Sequence, residues 1–277
     1  MTGQDALRAA IPRLREAGVV DAARDGRVLL AFAMGVAADR LTLHLPDDLD
    51  PEAETRFEAA LTARERRQPV SQITGQRLFW GQSFTVTPDV LDPRPETEIL
   101  VAAALERPFV KVLDLGTGSG CILLSCLSGA KAATGLGVDI SEAALMVARG
   151  NAGRLGLAAR SRFALSDWCR DVAGRFDLIL SNPPYIAAAE MALLAPEVRE
   201  WEPHLALSPG GDGLDAYRAI ALQAPARLLA GGRIMVEIGP TQAAAVAGLF
   251  AAQGLAQVET RRDFDGRDRV VMAVKPD

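Results

Sequence analysis

Over residues 1 to about 72 apolar side chains recur with a helical period, and beyond residue 110 they cluster in short runs of strand length. Leu7, Ala10, Ile11 and Leu14 fall at i, i+3, i+4 and i+7, one apolar helix face that Gly18 closes. A second helix is expected from Asp21 to about Ala38. A third starts with Asp50 as N-cap and Pro51 at the first helical position, and it puts Phe57, Ala60 and Leu61 on one side. Its last turn, Arg64-Glu65-Arg66-Arg67, is basic, which suits the helix dipole and reads as a solvated terminus. Residues 1–72 therefore read as a small helical domain.

Between Gln76 and Val90 the pattern changes to Leu78-Phe79-Trp80-Gly81-Gln82-Ser83-Phe84-Thr85-Val86, aromatic and β-branched residues around a glycine. That predicts a hairpin, and residues 73–92 are taken as a linker. Pro93-Arg94-Pro95-Glu96-Thr97-Glu98 is a rigid turn that opens a helix, with its acids in the first turn where the dipole favours them.

From residue 93 to 277 strands and helices alternate, the mark of an α/β domain with a parallel sheet covered on both faces. Strands are expected at Lys111–Leu115, Gly135–Ile140, Ser161–Leu165, Phe176–Ser181 and Gly232–Ile238, with helices at Gly213–Leu229 and Thr241–Ala252. The last two runs, Leu255–Arg261 and Arg269–Val274, are joined by Asp263-Phe264-Asp265-Gly266-Arg267 with no helix between them. Strands joined without a crossover must be antiparallel neighbours. The prediction is a mostly parallel seven-stranded sheet with an antiparallel last strand.

Composition narrows the classes. The chain has 277 residues, 49% of them hydrophobic, enough for one large or two unequal cores. A net charge of −5 argues against a protein that rides on a nucleic-acid backbone, so stable nucleic-acid binding is not expected. Cys121, Cys126 and Cys169 form no C-x-x-C pair and read as free thiols in a reducing compartment, so a cytoplasmic location is expected. No signal-peptide core and no run of about 18 apolar residues occurs, so no membrane association is expected. His44 and His204 have no second ligand at metal spacing, so no metal is expected.

The chemistry sits where strands end. Asp114-Leu115-Gly116-Thr117-Gly118-Ser119-Gly120 closes the first strand of the α/β part and opens a helix. Glycines there let a ligand approach the main chain. The spacing is G-x-G-x-G, with Cys121 where a dinucleotide fingerprint needs its third glycine. Asp114 suits an amino-bearing ligand and repels a pyrophosphate. Asp139 ends the second strand, where a carboxylate can accept from both ribose hydroxyls, and Ser141 is the expected N-cap of the next helix. Asp167 and Trp168 follow the third strand, an acceptor for an adenine amine beside a ring for the purine face. An amine acid, a ribose acid and an adenine platform in that order point to S-adenosylmethionine. Each residue also has a plainer reading, a turn, a helix start or a packed ring; their succession is what favours the cofactor.

Asn182-Pro183-Pro184-Tyr185 follows the fourth strand. Two prolines cannot extend a sheet ladder, so the chain leaves the sheet there and presents Asn and Tyr at a strand's carboxyl end. The Asn182 side-chain oxygen and the Pro183 carbonyl offer two acceptors to a planar NH₂ group. A strand-ending turn with a surface tyrosine is the plain alternative, and the motif alone does not separate an amide from an adenine amine.

These segments, with Glu202-Pro203-His204-Leu205-Ala206-Leu207, Gly210-Gly211-Asp212-Gly213-Leu214, Glu237-Ile238-Gly239 and Gly266-Arg267-Asp268-Arg269, resemble the bacterial release-factor glutamine methyltransferases of the HemK/PrmC type. The resemblance covers residues 65 to 275. It implies the class I S-adenosylmethionine-dependent methyltransferase fold preceded by a helical domain that docks the substrate. It also implies methylation of the glutamine in the Gly-Gly-Gln motif of class 1 peptide-chain release factors, S-adenosylhomocysteine as product and a monomer. On this reading Gly116, Thr117, Gly118, Ser119, Gly120, Asp139, Trp168 and Asn182 hold the cofactor. Asn182, Pro183, Pro184 and Tyr185 hold the substrate, with Asn182 the catalytic residue. Competing expectations are a glutamine in a large-subunit ribosomal protein, an adenine amine in DNA, or a scaffold without turnover.

Overall fold

Two of the three long helices of the N-terminal region begin at a side chain that caps them. The computed structural model describes residues 1–277, and the chain forms two compact units, residues 1–76 with 195–201 and residues 77–194 with 202–277. In the first unit the long helices are Gly3–Glu16, Ala22–Met34 and Pro51–Glu65. Thr2 Oγ1 accepts the Asp5 N–H at 3.2 Å, and Asp50 accepts the Ala53 N–H at 2.6 Å. Gly35, at φ +67°, ends the second helix at Met34, short of the predicted Ala38, because a left-handed residue there closes the last turn. Leu14, Leu29, Leu30, Leu41, Phe57 and Leu61 share one core.

The basic last turn of the third helix is not a solvated terminus. Arg64 is 6% exposed and donates to Asp25 at 2.7 Å and to Glu197 at 3.0 Å. Arg67 grips the same Glu197 through Nε and Nη2, each at 2.7 Å. Glu197 lies in the helix Pro196–Trp201, far away in sequence. Helix periodicity could not show a partner supplied from that distance.

A hairpin of β1 (Gln76–Phe79) and β2 (Gln82–Thr85) turns through Trp80 and Gly81, at φ +49° and +68°. Two left-handed residues make the turn follow the natural strand twist. Glu98 accepts the Trp80 N–H at 2.7 Å and ties this turn to the helix Glu98–Leu105.

The second unit is built on a seven-stranded sheet of β3 (Lys111–Leu115), β4 (Thr134–Asp139), β5 (Ser161–Leu165), β6 (Phe176–Ser181), β7 (Leu228–Glu237), β8 (Ala256–Arg262) and β9 (Asp268–Val274). The order is β5-β4-β3-β6-β7-β9-β8. All pairs are parallel except those of β9, which runs antiparallel to both β7 and β8. The final strand is thus inserted inside the edge strand that precedes it. Pleat alternation sends Leu178 and Leu180 to one core with Leu123 and Met235, and Ile179 to the other with Tyr217, Ile234 and Phe250.

The helix expected over Gly213–Leu229 runs only Asp215–Gln223. Pro225 diverts the chain into a short 3₁₀ turn, Ala224–Arg227, which leads directly into β7 at Leu228, earlier than the predicted Gly232. Strand order reverses between β3 and β6, and a crevice forms at such a switch point, outside the carboxyl ends of the strands. The glycine loop after β3 and Asn182 after β6 flank it.

Candidate functional site

A cleft of about 450 Å³ opens at that switch point, lined by Gly116, Gly118, Asp139, Trp168, Thr97 and Asn182 among others. One wall comes from the glycine loop. Gly118 has φ +54° with open space where a Cβ would project, so backbone conformation rather than crowding requires glycine. Gly137 on β4 is required by crowding: a Cβ there would lie 2.7 Å from Thr117 Oγ1 and 2.9 Å from the Phe163 ring. The sequence carries no motif around Gly137, and sequence reasoning missed it.

Asp114 departs from its expectation. It is fully buried, absent from the cleft lining, and its Oδ2 accepts from Thr117 Oγ1 at 2.6 Å. Burial pushes its carboxyl up to about 7, and Oδ1 has no hydrogen-bond partner. Asp114 braces the loop from beneath.

Asp139 stands at the end of β4. Its Oδ2 accepts the Gly118 N–H at 2.9 Å and its Oδ1 the Ser141 N–H at 3.0 Å, so it locks the loop to the start of the next helix. Ser141 caps that helix by accepting the Ala144 N–H at 3.2 Å. Burial raises the Asp139 pKa, and the backbone N–H bonds oppose the rise. A carboxylate has about four acceptor positions, so these backbone bonds leave acceptor capacity for a hydroxyl in the cleft.

Trp168 is held at φ +53°, an uncommon conformation for a bulky residue. Ser166 maintains it: its hydroxyl donates to the Trp168 carbonyl at 2.8 Å and accepts the Asp171 N–H at 3.1 Å. The ring edge lies 3.7 Å from where a Gly116 Cβ would stand. Asp167 lines the cleft and pairs with Arg170 at 3.3 Å.

The other wall begins where Ser181 Oγ donates to the Leu115 carbonyl at 2.7 Å and ties the end of β6 to the end of β3. Asn182 and Pro184 line the cleft, Pro183 is buried, and Tyr185 is half-buried, its hydroxyl pushed up to about 12 by burial. Asn182 Nδ2 donates to Thr97 Oγ1 at 3.3 Å. That bond engages the donor end of the amide and leaves Oδ1 as an acceptor.

Two anchors of this wall escaped sequence reasoning. Gln242 Nε2 donates to the Tyr185 carbonyl at 2.9 Å while its Oε1 accepts the Gly239 N–H at 3.0 Å. Gly213 leaves room for the same carbonyl, which would be 2.4 Å from a Cβ there. Thr97 lay within a motif read only as a turn, and Gln242 carried no signal at all. Arg94, also on the lining, pairs with buried Glu202, whose carboxyl burial pushes up to about 7 against the pull of Arg94.

No group of three or more His, Cys, Asp or Glu side chains is placed to hold a metal ion. No helix is long and apolar enough to cross a membrane. The arrangement can seat a ligand with hydroxyls and a flat ring against Gly118, Asp139 and Trp168, and a planar NH₂ against Asn182.

Comparison with known proteins gives concordant results. Residues 5–75 match the PrmC N-terminal domain and residues 89–212 the methyltransferase small domain. The release factor glutamine methyltransferase of Cereibacter sphaeroides is 64% identical over 276 residues, covering 100% of this chain and 99% of that protein. A methyltransferase from Pyrococcus furiosus superposes with a TM-score of 0.57 at 18% identity, over 80% of this chain and 100% of that one. The Thermus thermophilus 16S rRNA N2 G1207 methyltransferase, solved with AdoMet and guanosine, gives 0.53 at 21% identity, over 72% and 49%. These two structures share the fold.

Proposed function

Because the chain belongs to the release factor glutamine methyltransferase family, we propose that it methylates the side-chain amide nitrogen of the glutamine in the Gly-Gly-Gln motif of class 1 peptide-chain release factors, using S-adenosylmethionine. The observation that carries this reading is Asn182 on the lining of the cleft that the glycine loop also lines, with its Nδ2 engaged by Thr97 and its Oδ1 left as an acceptor.

The residues fit the cofactor. Gly116, Thr117, Gly118 and Ser119 line the cleft, Asp139 retains acceptor capacity beside them, and Trp168 gives an apolar face, whereas Gly120 lies off the lining, packed against Leu124 and Ala148. When bound, the cofactor supplies a sulfonium-activated methyl group and leaves as S-adenosylhomocysteine. The chain's residues do the rest. Asn182 Oδ1 and the Pro183 carbonyl accept the two N–H bonds of the substrate amide and fix its plane. An amide nitrogen is a poor nucleophile because its lone pair is delocalised, so acceptors that place negative potential at its hydrogens stabilise the charge that develops in the transition state. Holding the nitrogen in attack geometry contributes further, roughly 7–11 kcal/mol in favourable model reactions. Tyr185 packs over the planar amide and keeps water away. No strong base is required, because methylation acidifies the nitrogen, whose proton then leaves.

We assign substrate docking to residues 1–72, the linker to 73–92 and the chemistry to 93–277, in a monomer that works in the cytoplasm. The test is to incubate the protein with labelled S-adenosylmethionine and, separately, a class 1 release factor, its Gly-Gly-Gln variant with Gln replaced by Ala, a large-subunit ribosomal protein preparation, and duplex DNA. Label on the intact release factor alone is expected. Label on the ribosomal protein or the DNA instead would overturn the assignment.

A further inference from the structure

Asn182 can present either end of its amide to the cleft, and only one end makes it an acceptor. An asparagine side chain costs little to rotate by half a turn, so a second contact must choose. In the sheet Ser181 lies beside Val236, so Asn182 and Glu237, one residue further along parallel strands, project to the same face. Thr97 meets both of them there. Its Oγ1 accepts from Asn182 Nδ2 at 3.3 Å, and its hydroxyl is near enough to the buried Glu237 carboxyl to oppose the rise that burial imposes on that acid. Thr97 and Glu237 are each 1% exposed, so no bulk water replaces either contact. The backbone behind is fixed, since Tyr217 donates from its hydroxyl to the Glu237 carbonyl at 2.9 Å.

We propose that Thr97 is a positioning residue for the methyl-transfer step: by giving its proton to Glu237 it is left an acceptor, takes the Asn182 NH₂, and so turns Oδ1 toward the substrate amide. If Thr97 could not accept, Asn182 would present its NH₂ to a substrate NH₂, donor against donor, in a share of molecules, and those molecules would not turn over. Glu237 decides the direction in which the Thr97 hydroxyl points, and Thr97 decides the direction of Asn182. The alignment needs three residues from three elements: the turn before the helix Glu98–Leu105, the exit of β6 and the end of β7.

The inference rests on the methyl-transfer reading above, and the experiment separates the two. The Thr97→Val and Thr97→Ser variants are compared with wild type in three measurements: kcat and KM for the release factor at saturating S-adenosylmethionine, calorimetric binding of S-adenosylhomocysteine, and the side-chain amide NMR signal of Asn182 in protein without substrate. For Thr97→Val, kcat is expected to fall about tenfold while KM and S-adenosylhomocysteine affinity stay within about twofold, the scale of one buried hydrogen bond. Its Asn182 amide signal should move and lose protection from exchange. Thr97→Ser, which keeps the hydroxyl, should restore both. Wild-type kcat in Thr97→Val, an equally impaired Thr97→Ser, or an unchanged Asn182 signal would each overturn the proposal. A wild-type protein that methylates no release factor would instead overturn the substrate reading, with the NMR signal still reporting on Thr97.

Discussion

The glycine-loop wall of the cleft takes its polar groups from a short stretch of chain, Gly116 to Gly120, and from the acid that ends the adjacent strand. The Asn182 wall takes its geometry from residues that come from much farther apart: Thr97 before the sheet begins, Gly213 in a distant loop, Gln242 beyond β7. The first wall is backbone held by two carboxylates, Asp114 from beneath and Asp139 from the adjacent strand end. The second is a rigid turn whose Asn182 amide and Tyr185 carbonyl are each held by a distant side chain. A wall of main chain, with the N–H groups of Thr117, Gly118 and Gly120 already bonded within the protein, suits a cofactor that is always the same, and side chains aimed individually suit a reaction that needs one orientation of one amide. Damage to the first wall should therefore appear in binding, and damage to the second in turnover.

The most severe break of that contrast is Asn182→Ala. Turnover on the release factor should fall about 10²–10³-fold, the usual consequence of losing one preorganised polar group in an active site, while calorimetric affinity for S-adenosylhomocysteine stays near wild type. Equal loss in both measurements would erase the distinction between the walls. Asp139→Asn is the converse. It leaves one acceptor where Gly118 and Ser141 already need two, with none for the ribose in the proposed site, so cofactor affinity should drop about 10–100-fold, as for a lost charge-assisted hydrogen bond. At saturating cofactor its kcat should recover most of the wild-type value, and a persistent kcat defect would place Asp139 in the chemistry.

Gln242→Ala sharpens the contrast further out. It strips the Tyr185 carbonyl and the Gly239 N–H of their shared partner, and should cost about 1–3 kcal/mol of stability in denaturant titration for the buried groups left unpaired. A several-fold loss of kcat with unchanged cofactor affinity is expected beside it. Unchanged kcat would confine Gln242 to stability.

Much of this was legible in the sequence, and what was legible shares a character. The G-x-G-x-G loop, Asp139 with Ser141, and Asn182 to Tyr185 are each contiguous, and each carries its own local reason: glycine where φ must be positive, an acid at a helix start, paired prolines where a ladder must stop. Thr97 was visible as part of a turn but not as the partner of Asn182. Gln242 and Gly137 gave no sign, since the reason for each lies in residues far along the chain. The same cause misled the reading of Arg64, a basic helix end by pattern and a buried ion-pair centre by contact. Asp114 was assigned to the ligand because it precedes the glycines, whereas the pleat turns it inward beneath Thr117.

The smallest expected effect concerns the acids that hold both walls. Asp114 and Glu237 are each buried and pushed up to about 7 by that burial, Glu237 despite the opposing pull of Thr97 and Arg269. Their unfolded values are near the ordinary carboxylate range, roughly 4. The folded protein therefore binds more protons between those limits, so its stability is greatest below about pH 4 as far as these two groups are concerned. It declines as pH rises through about 7. In thermal melts over pH 5 to 8, Glu237→Gln should show a shallower decline than wild type, and an identical slope would remove Glu237 from the list of groups that titrate late.

The alternation of strands and helices, the antiparallel ending without a crossover, the glycine loop and the proline-locked turn were determined by the sequence alone, because each follows from local rules of dihedral freedom, periodicity and hydrogen-bond capacity. Tertiary structure decided that the last strand slips inside its predecessor, that Arg64 is buried against Glu197, and that Thr97 and Gln242 aim the Asn182 wall. Those outcomes depend on which distant groups share a volume without water. A buried donor must then find an acceptor wherever the fold has brought one.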